Sequence, residues 1–312
     1  MTHADRPMLG ISLMLAVCLC APLGDALAKL LGAHISVGQI TTLRFAAQTL
    51  ILVPLSLVLG RSWSMSLGTF VLLLARTLCH ISGIMLMVTA LLYLPIADAI
   101  AIAFVMPFMA LLLGHVFLKE HVGPQRLAAC AIGFGGTLMV VQPAFAEVGA
   151  PALLPLLVAF VFTLYMLLSR KLGVRLDPIA QHAVAGPIAL ALLVPVMALT
   201  PVSVQEMSWI SPTLHIWLLI VLMGIVGTTA HLMMSWALKY APTSTLAPMQ
   251  YLEIPVATLI GWLIWREAPG PLASCGIAVT IGSGLYIVMR ERASAARSLM
   301  TKPVHPGAPP AE

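Results

Sequence analysis

Residues 90–95 read Ala-Leu-Leu-Tyr-Leu-Pro, and residues 237–242 read Ala-Leu-Lys-Tyr-Ala-Pro. Three further pairs of segments match, the first two at the same offset: Lys119-Glu120 with Arg266-Glu267, Gly123-Pro124 with Gly270-Pro271, and Leu-Val-Pro at 52–54 with Leu-Val-Pro at 193–195. Matches at both ends of a long unit favour a duplication within the chain. The sequence therefore predicts two copies of one structural unit.

The composition around these segments is that of a membrane protein. The chain has 312 residues, of which 60% are hydrophobic and 9% are charged. Soluble domains average roughly 45–50% apolar and about 25% charged residues. Apolar runs of about 20 residues, the length that crosses a bilayer as a helix, follow one another almost without interruption. The composition excludes a soluble globule.

Ten apolar runs are predicted to span the membrane as helices, which gives an all-α polytopic fold. The predicted spans are 8–31, 36–60, 68–93, 95–118, 125–143, 151–171, 178–200, 214–239, 242–265 and 270–289. The predicted organisation is a cytoplasmic N-terminus at 1–7, a first five-helix repeat at 8–143, a second five-helix repeat at 151–289 and a disordered cytoplasmic tail at 294–312.

A unit of five helices crosses the membrane an odd number of times, so the second copy must be inverted relative to the first. The basic residues agree with this topology. With the N-terminus in the cytoplasm, the outside loops hold only Arg266, whereas the cytoplasmic segments hold most of the Lys and Arg. We therefore expect a multi-pass protein of the bacterial inner (cytoplasmic) membrane with both termini in the cytoplasm.

The pattern argues against several partners and cofactors. The net charge is +5, but no basic cluster is interleaved with aromatic residues, so nucleic acid is not an expected partner. The five cysteines lie in apolar runs without a Cys-x-x-Cys pair, and no phosphate-binding Gly-x-x-x-x-Gly-Lys loop is present. We expect no metal, no cofactor and no ATP. The expected partners are the lipid bilayer and a small-molecule substrate, and the chain is expected to act as a monomer or homodimer.

Inverted repeats point to a function. Two similar halves that face opposite ways supply inward-open and outward-open states of similar energy, and this plan is typical of secondary transporters. The sequence therefore predicts a carrier that moves a small metabolite by alternating access, with proton coupling left open.

Several motifs together resemble a known family. They are 90–95, Pro107, Lys119-Glu120, Gly-Phe-Gly-Gly at 133–136, and 247–253 with Glu267. The chain resembles the EamA branch of the drug/metabolite transporter superfamily. The resemblance implies ten helices, with helices 1–4 and 6–9 around a central cavity, and a substrate such as an amino acid, a vitamin or a nucleoside-like compound. The segment 25–31, followed by Gln39 and Arg44, is similar to members that handle riboflavin or S-adenosylmethionine.

Glu253 is the charge that the sequence places deepest in the membrane, near the middle of span 242–265. Charged groups in hydrocarbon are costly and must pair or face a cavity. Pro255 beside it and Pro107 in the equivalent span should interrupt both helices and free carbonyl groups for substrate. We predict that Glu253 carries a proton or meets a cationic substrate; the alternative is a protonated carboxyl that bonds within the bundle.

Four further charged residues are predicted inside spans. Asp25 and Lys29 are four residues apart, which favours an intrahelical ion pair, and Arg44 should lie at a similar depth. Two interpretations are compatible with this pattern. The charges neutralise one another for structural reasons, or they have a functional role as an outer gate or, at Arg44, as a site for an anionic substrate. Arg76 is either a snorkelling anchor or an inner gate.

Five polar or aromatic residues complete the predicted site. His80 and His231 lie in equivalent helices and could both face the cavity, with His231 near the inner gate, although a membrane histidine is often only a packing residue. Gln250, Tyr251 and Trp236 could clamp a planar ligand, the alternative being ordinary helix packing.

The sequence disfavours two other classes of protein. An intramembrane enzyme is disfavoured because His-Glu-x-x-His is absent and the serine- and aspartyl-protease patterns fail at 281–284 and 22–25. A channel is disfavoured because a chain with its own inverted repeat already encloses a pathway.

Overall fold

The computed structural model describes residues 7–106, 108–109, 124–173, 175–201, 204–241, 246 and 249–300. Within these residues the fold is all-helical, with ten α-helices and two short 3-10 turns. The helices are α1 Pro7–Gly32, α2 Val37–Val58, α3 Leu67–Leu91, α4 Ile96–Ala103, α5 Pro124–Val148, α6 Leu154–Gly173, α7 Pro178–Leu199, α8 Leu214–Tyr240, α9 Glu253–Trp265 and α10 Pro271–Met300. The 3-10 turns are Ala150–Leu153 and Gln205–Met207.

Seven segments of the described chain are long and apolar enough to cross a membrane. They are Met8–Gly32, Val37–Val58, Leu67–Leu91, Ala131–Val148, Ala150–Gly173, Pro178–Leu199 and Leu214–Tyr240. α4 has 8 residues and α9 has 13, and the apolar part of α10 is Pro271–Tyr286. Of the ten predicted spans, seven contain a described helix that is long enough to cross the membrane.

Side-chain caps fix where several helices begin. The Ser36 hydroxyl accepts a hydrogen bond from the Gln39 N–H at 3.1 Å and begins α2. Asp177 does the same for Ile179 at 3.0 Å and begins α7. Each cap satisfies a backbone donor that the first turn of a helix leaves without a partner.

The fourth and ninth predicted spans are interrupted rather than continuous. α4 ends at Ala103 and is followed by a turn at 104–105, and α9 is preceded by a turn at 251–252. At the two turns the N–H of Val105 donates to Ile102 at 3.3 Å and the N–H of Leu252 donates to Met249 at 3.0 Å, three residues back instead of four. The two bonds occupy equivalent positions in the predicted repeats. A proline follows each turn in the sequence, at 107 and 255, and its missing N–H cannot continue a helical ladder.

The helices pack in a pairwise pattern. The most extensive contacts join α5 with α10, α1 with α8, α3 with α6, and α2 with α7. Suppose that each helix of the first five is exchanged for the helix at the same place in the last five, so that α1 takes the place of α6, and so on. The α1–α8 contact then becomes the α6–α3 contact, and the α2–α7 and α5–α10 contacts are unchanged. The packing therefore has the pattern of a pseudo-twofold axis.

α5 and α10 approach one another closely at two glycines. A Cβ built on Gly136 would come within 2.9 Å of the Gly276 carbonyl oxygen, and one on Gly276 within 2.5 Å of the Gly136 oxygen. Gly135, on another face of α5, has nothing within 4 Å. Small residues in such positions let helix backbones meet, which is a usual way of packing helices in membranes.

α10 runs on to Met300. It thereby continues seven residues into the segment that was predicted to be a disordered tail from 294. Residues 301–312 lie outside the described chain.

Candidate functional site

A cavity lies between seven helices, at the level of the interruptions that end α4 and precede α9. Its empty space is about 940 Å³ when the open mouth is included. The lining comes from α1, α2, α3, α6 and α8, from the end of α4 and the residues after it, and from Gln250 and Glu253 on either side of the turn before α9. Within the described chain, neither α5 nor α10 contributes to this lining.

Three charged side chains from three helices open into the cavity: Asp25 of α1, Arg44 of α2 and Glu253 of α9. Asp25 lies close enough to both Arg44 and Glu253 for their charges to interact. Even so, among the described residues none of the three has a hydrogen bond or an ion pair within 4.0 Å. Ionisable groups inside a membrane protein normally have partners, which makes these three candidates for contact with water or a ligand.

The rest of the wall is mainly apolar. Phe104 and Phe162 lie in it together with Met87, Met106 and Met234, and Gln250 adds an amide. Aromatic faces and thioethers can pack on both sides of a flat ring, and an amide can donate and accept hydrogen bonds. The cavity thus combines apolar walls with a few convergent polar groups, which is the usual make-up of a small-molecule site.

A second polar cluster surrounds Arg76, whose side chain is 0% exposed. Its Nε donates to the Ser169 hydroxyl and its Nη2 to the Tyr165 hydroxyl, both at 2.8 Å, and Nη2 lies 3.2 Å from Nε2 of His182. The guanidinium also stacks 4.6 Å from the Tyr165 ring centre. No described carboxylate lies within 4.0 Å, and Nη1 has no described partner. Arg76 therefore joins α3 to α6 and α7 through neutral groups alone.

His80 and His231 connect this cluster to the cavity. Their Nε2 atoms are 3.3 Å apart, and the His80 ring lies 4.8 Å from the Tyr165 ring. His231 lines the cavity, whereas His80 is 1% exposed and lies behind it. A continuous group of rings therefore runs from the cavity wall to Arg76.

A third contact lies at the C-terminal end of α1. Lys29 Nζ is 2.9 Å from both carboxylate oxygens of Glu267 and donates to the Leu94 carbonyl oxygen at 2.9 Å. The same ammonium lies 5.0 Å from the centre of the Trp265 ring. The contact ties α1 to the loop after α3 and to the loop after α9. The predicted Asp25–Lys29 pair is therefore wrong, because the long lysine side chain reaches away from its own helix toward these loops.

The structure brings some of the predicted site residues together and separates others. Those that line the cavity are Asp25, Arg44, His231, Gln250 and Glu253. Tyr251 is buried against Phe104 and the α10 residue Gly284, and Trp236 packs between α2, α7 and α8. Pro255 lies in an exposed apolar groove beside Leu15 and Leu19. Pro107 is outside the described residues.

His80, Tyr251, Trp236 and Pro255 thus lie outside the lining of this cavity, and their predicted contact with a substrate stays a prediction. A helix that is apolar on every side gives no periodicity from which to read which face points inward. Pro255 follows Glu253 by two residues in α9, and at 3.6 residues per turn this spacing places it on roughly the opposite face of the helix.

Sequence reasoning missed four residues that the structure places at functional positions. Tyr165 and Ser169 hold Arg76, Gly227 lies against Arg44, and Glu267 holds Lys29. Of these four, only Glu267 could have been found from the sequence, because it belongs to the duplicated Lys/Arg-Glu motif. Among the described residues, no group of three His, Cys, Asp or Glu side chains could hold a metal ion.

The apolar helices and the internal polar cavity define a multi-pass helical membrane protein. The model of the EamA-like transporter family matches the chain twice, over residues 8–142 and 150–289. The chain belongs to the EamA-like transporter family, as the motifs predicted.

Similar proteins are named as transporters rather than as enzymes. A riboflavin transporter of Brucella anthropi is 29% identical over 67% of this chain and 73% of its own length. An S-adenosylmethionine uptake transporter of Rickettsia bellii is 22% identical over 93% of this chain and 97% of its own length. One solved structure superposes with a TM-score of 0.63 at 18% identity, over 92% of this chain and 97% of that chain, which shows a shared fold.

Proposed function

We propose that this protein is a secondary transporter that moves a small metabolite across the bacterial cytoplasmic membrane by alternating access to the central cavity. The observation that carries this proposal is the pair of equivalent interruptions at 104–105 and 251–252, beside which Phe104, Gln250 and Glu253 line the cavity. Discontinuous helices in corresponding positions of two halves are the strongest structural pointer to a transporter site.

An inverted duplication supports the mechanism. The family model matches the two proposed five-helix repeats separately, and the helix contacts exchange in pairs when the halves are exchanged. With ten membrane-crossing helices and an odd number in each half, the halves face opposite ways and both termini lie in the cytoplasm. Rocking of one half against the other would then open the cavity to each side in turn.

Two sets of contacts would act as gates in this scheme. Lys29 and Glu267 join α1 to the loop after α9 on the outer side. The Arg76 cluster joins α3, α6 and α7 on the cytoplasmic side. Asp177 reinforces that side, since its carboxylate lies 3.8 Å from Arg61 and 3.9 Å from Lys239.

The substrates named for the relatives define the first compounds to test. Riboflavin has a flat ring system that suits the Phe104 and Phe162 faces, and S-adenosylmethionine adds charged groups that suit Asp25, Arg44 and Glu253. Both are small metabolites of the vitamin or nucleoside-like kind that the sequence predicted.

The test is counterflow in proteoliposomes. Vesicles are loaded with unlabelled S-adenosylmethionine or riboflavin, and uptake of the same labelled compound is compared with uptake into empty vesicles. A carrier should show saturable uptake that the internal compound accelerates. Flux that neither saturates nor responds to internal compound would refute the carrier mechanism and indicate a pore.

Glu253→Gln is the variant that connects transport to the cavity, and Glu206→Gln is its matched control. Glu206 is exposed in the turn Gln205–Met207 and lies outside the cavity lining. We expect Glu253→Gln to reduce counterflow and Glu206→Gln to leave it unchanged. Equal rates for Glu253→Gln and the wild type over a full pH range would remove Glu253 from the mechanism.

A further inference from the structure

The Arg44 guanidinium lies face-on against Gly227 of α8. A Cβ at Gly227 would come 2.9 Å from Nε, 3.0 Å from Cζ and 3.1 Å from Nη2 of Arg44. Three nearly equal distances place that position above the guanidinium plane rather than at its edge. The missing side chain of Gly227 is therefore what allows the arginine to lie flat against the helix.

This placement leaves the N–H groups of Arg44 unused. Guanidinium N–H groups point outward in the plane of the group, and Gly227 covers only a face. Among the described residues no acceptor takes any of them, and Asp25 stays beyond the ion-pair distance of 4.0 Å. Arg44 borders the cavity, so its free donors face the space that a ligand would occupy. A planar fork of donors matches a carboxylate or a phosphate.

The opposite charge is present in the same cavity. Asp25 and Glu253 are acceptors without a described donor, and their two charges interact with one another. Two carboxyl groups and an arginine that line one cavity offer separate places for a cationic and an anionic group. The cavity thus carries charges of both signs, and among the described residues no direct contact neutralises either.

We propose that the substrate is a zwitterion, whose carboxylate binds Arg44 on its Gly227 platform and whose cationic group binds Asp25 and Glu253. This inference rests on the proposed transport function and names the chemical class of its substrate. It distinguishes between the substrates of the relatives, since S-adenosylmethionine carries both charges and riboflavin carries neither. Gly227 is a positioning residue that acts through Arg44.

The experiment compares ligands that differ in one group. S-adenosylmethionine, its decarboxylated form, the twenty amino acids and riboflavin are added at millimolar concentration to the purified protein in detergent. Binding raises the melting temperature by mass action, and apparent Kd values follow from titration. At least one zwitterion should stabilise the wild type, and loss of its carboxylate should weaken binding at least about tenfold, as expected for a charge-assisted hydrogen-bonded pair.

Variants then locate the effect. Arg44→Gln should bind the zwitterion and its carboxylate-free analogue equally weakly, and Arg44→Lys should recover part of the difference because it keeps the charge without the fork. Gly227→Ala should behave like Arg44→Gln because its methyl group displaces the guanidinium. Gly135→Ala is the control: it also adds a methyl group inside a helix, but its Cβ would meet nothing within 4 Å and Gly135 lies outside the cavity lining, so affinity should stay unchanged.

Stabilisation by riboflavin alone, or by no zwitterion in the panel, would overturn the inference. So would a bound zwitterion whose affinity is unchanged by Arg44→Gln. The counterflow assay distinguishes failure of the zwitterion proposal from failure of the proposed transport function. Counterflow of riboflavin would support the carrier function and refute the zwitterion site. Equal loss of affinity in Gly135→Ala and Gly227→Ala would overturn the positioning role of Gly227.

Discussion

The close contact between α5 and α10 makes a stability prediction that two adjacent residues can test. Gly136→Ala and Gly135→Ala put the same methyl group into the same helix, one residue apart. At Gly135 the new Cβ has nothing within 4 Å, whereas at Gly136 it would come 2.9 Å from the Gly276 oxygen and 2.9 Å from the Thr280 nitrogen. Both are backbone atoms, so no side-chain rotation can make room and α10 must shift.

The size of the effect follows from the difference between the two variants. Alanine is favoured over glycine inside a helix by about 0.8–1.0 kcal/mol, and this gain is common to both substitutions. Overpacking costs roughly 1–3 kcal/mol and applies only at Gly136. Gly136→Ala should therefore be less stable than Gly135→Ala by about 1–3 kcal/mol, or roughly 2–6 °C in Tm for a protein of this size.

Thermal unfolding in detergent, followed by tryptophan fluorescence, measures this difference. Because the described parts of α5 and α10 do not line the cavity, ligand affinity should be the same in both variants. A melting temperature of Gly136→Ala equal to or above that of Gly135→Ala would refute the close approach of the two helices.

Three further predictions concern the polar contacts. Lys29→Met and Glu267→Gln should show a coupling free energy of about 1 kcal/mol in a double-mutant cycle of thermal unfolding, since the ion pair is only partly buried; purely additive effects would contradict a direct pair. Tyr165→Phe should lower the free energy of unfolding by about 1.5–3 kcal/mol, measured in the same assay, because it removes a hydrogen bond to the charged Arg76; an unchanged Tm would contradict that bond. If Glu253 moves the coupling proton, the uptake that remains in Glu253→Gln should no longer be accelerated by an imposed pH gradient, and acceleration equal to that of the wild type would assign the proton elsewhere.

The family and the membrane class were predictable from the sequence because each rests on signals along the chain. Hydropathy locates helices without any knowledge of their packing, and the recurring segments identified the family. Helix ends near Gly32, Gly173 and Tyr240 fell within a residue or two of the predicted spans. The interruptions near 107 and 255 were also predictable, because proline removes a backbone donor wherever it occurs.

The contacts between helices could not be predicted in the same way. Lys29 was expected to pair with its neighbour Asp25 because spacing on one helix is visible in the sequence, whereas Glu267 is 238 positions away. Arg76 gives no hint that its partners are the hydroxyls of Tyr165 and Ser169. In these helices nearly every position is apolar, so the inward face is set by packing and leaves no periodic trace.

The interruptions of α4 and α9 also bear on how such a protein acquires new substrates. The amide and carbonyl groups at 104–105 and 251–252 belong to the main chain, so mutation of the side chains there does not remove them. Arg44, Asp25 and Glu253 can each be lost or replaced by a single substitution. The course of the main chain beside the cavity is therefore kept when side chains change, and a change of substrate needs to alter only side chains such as these three.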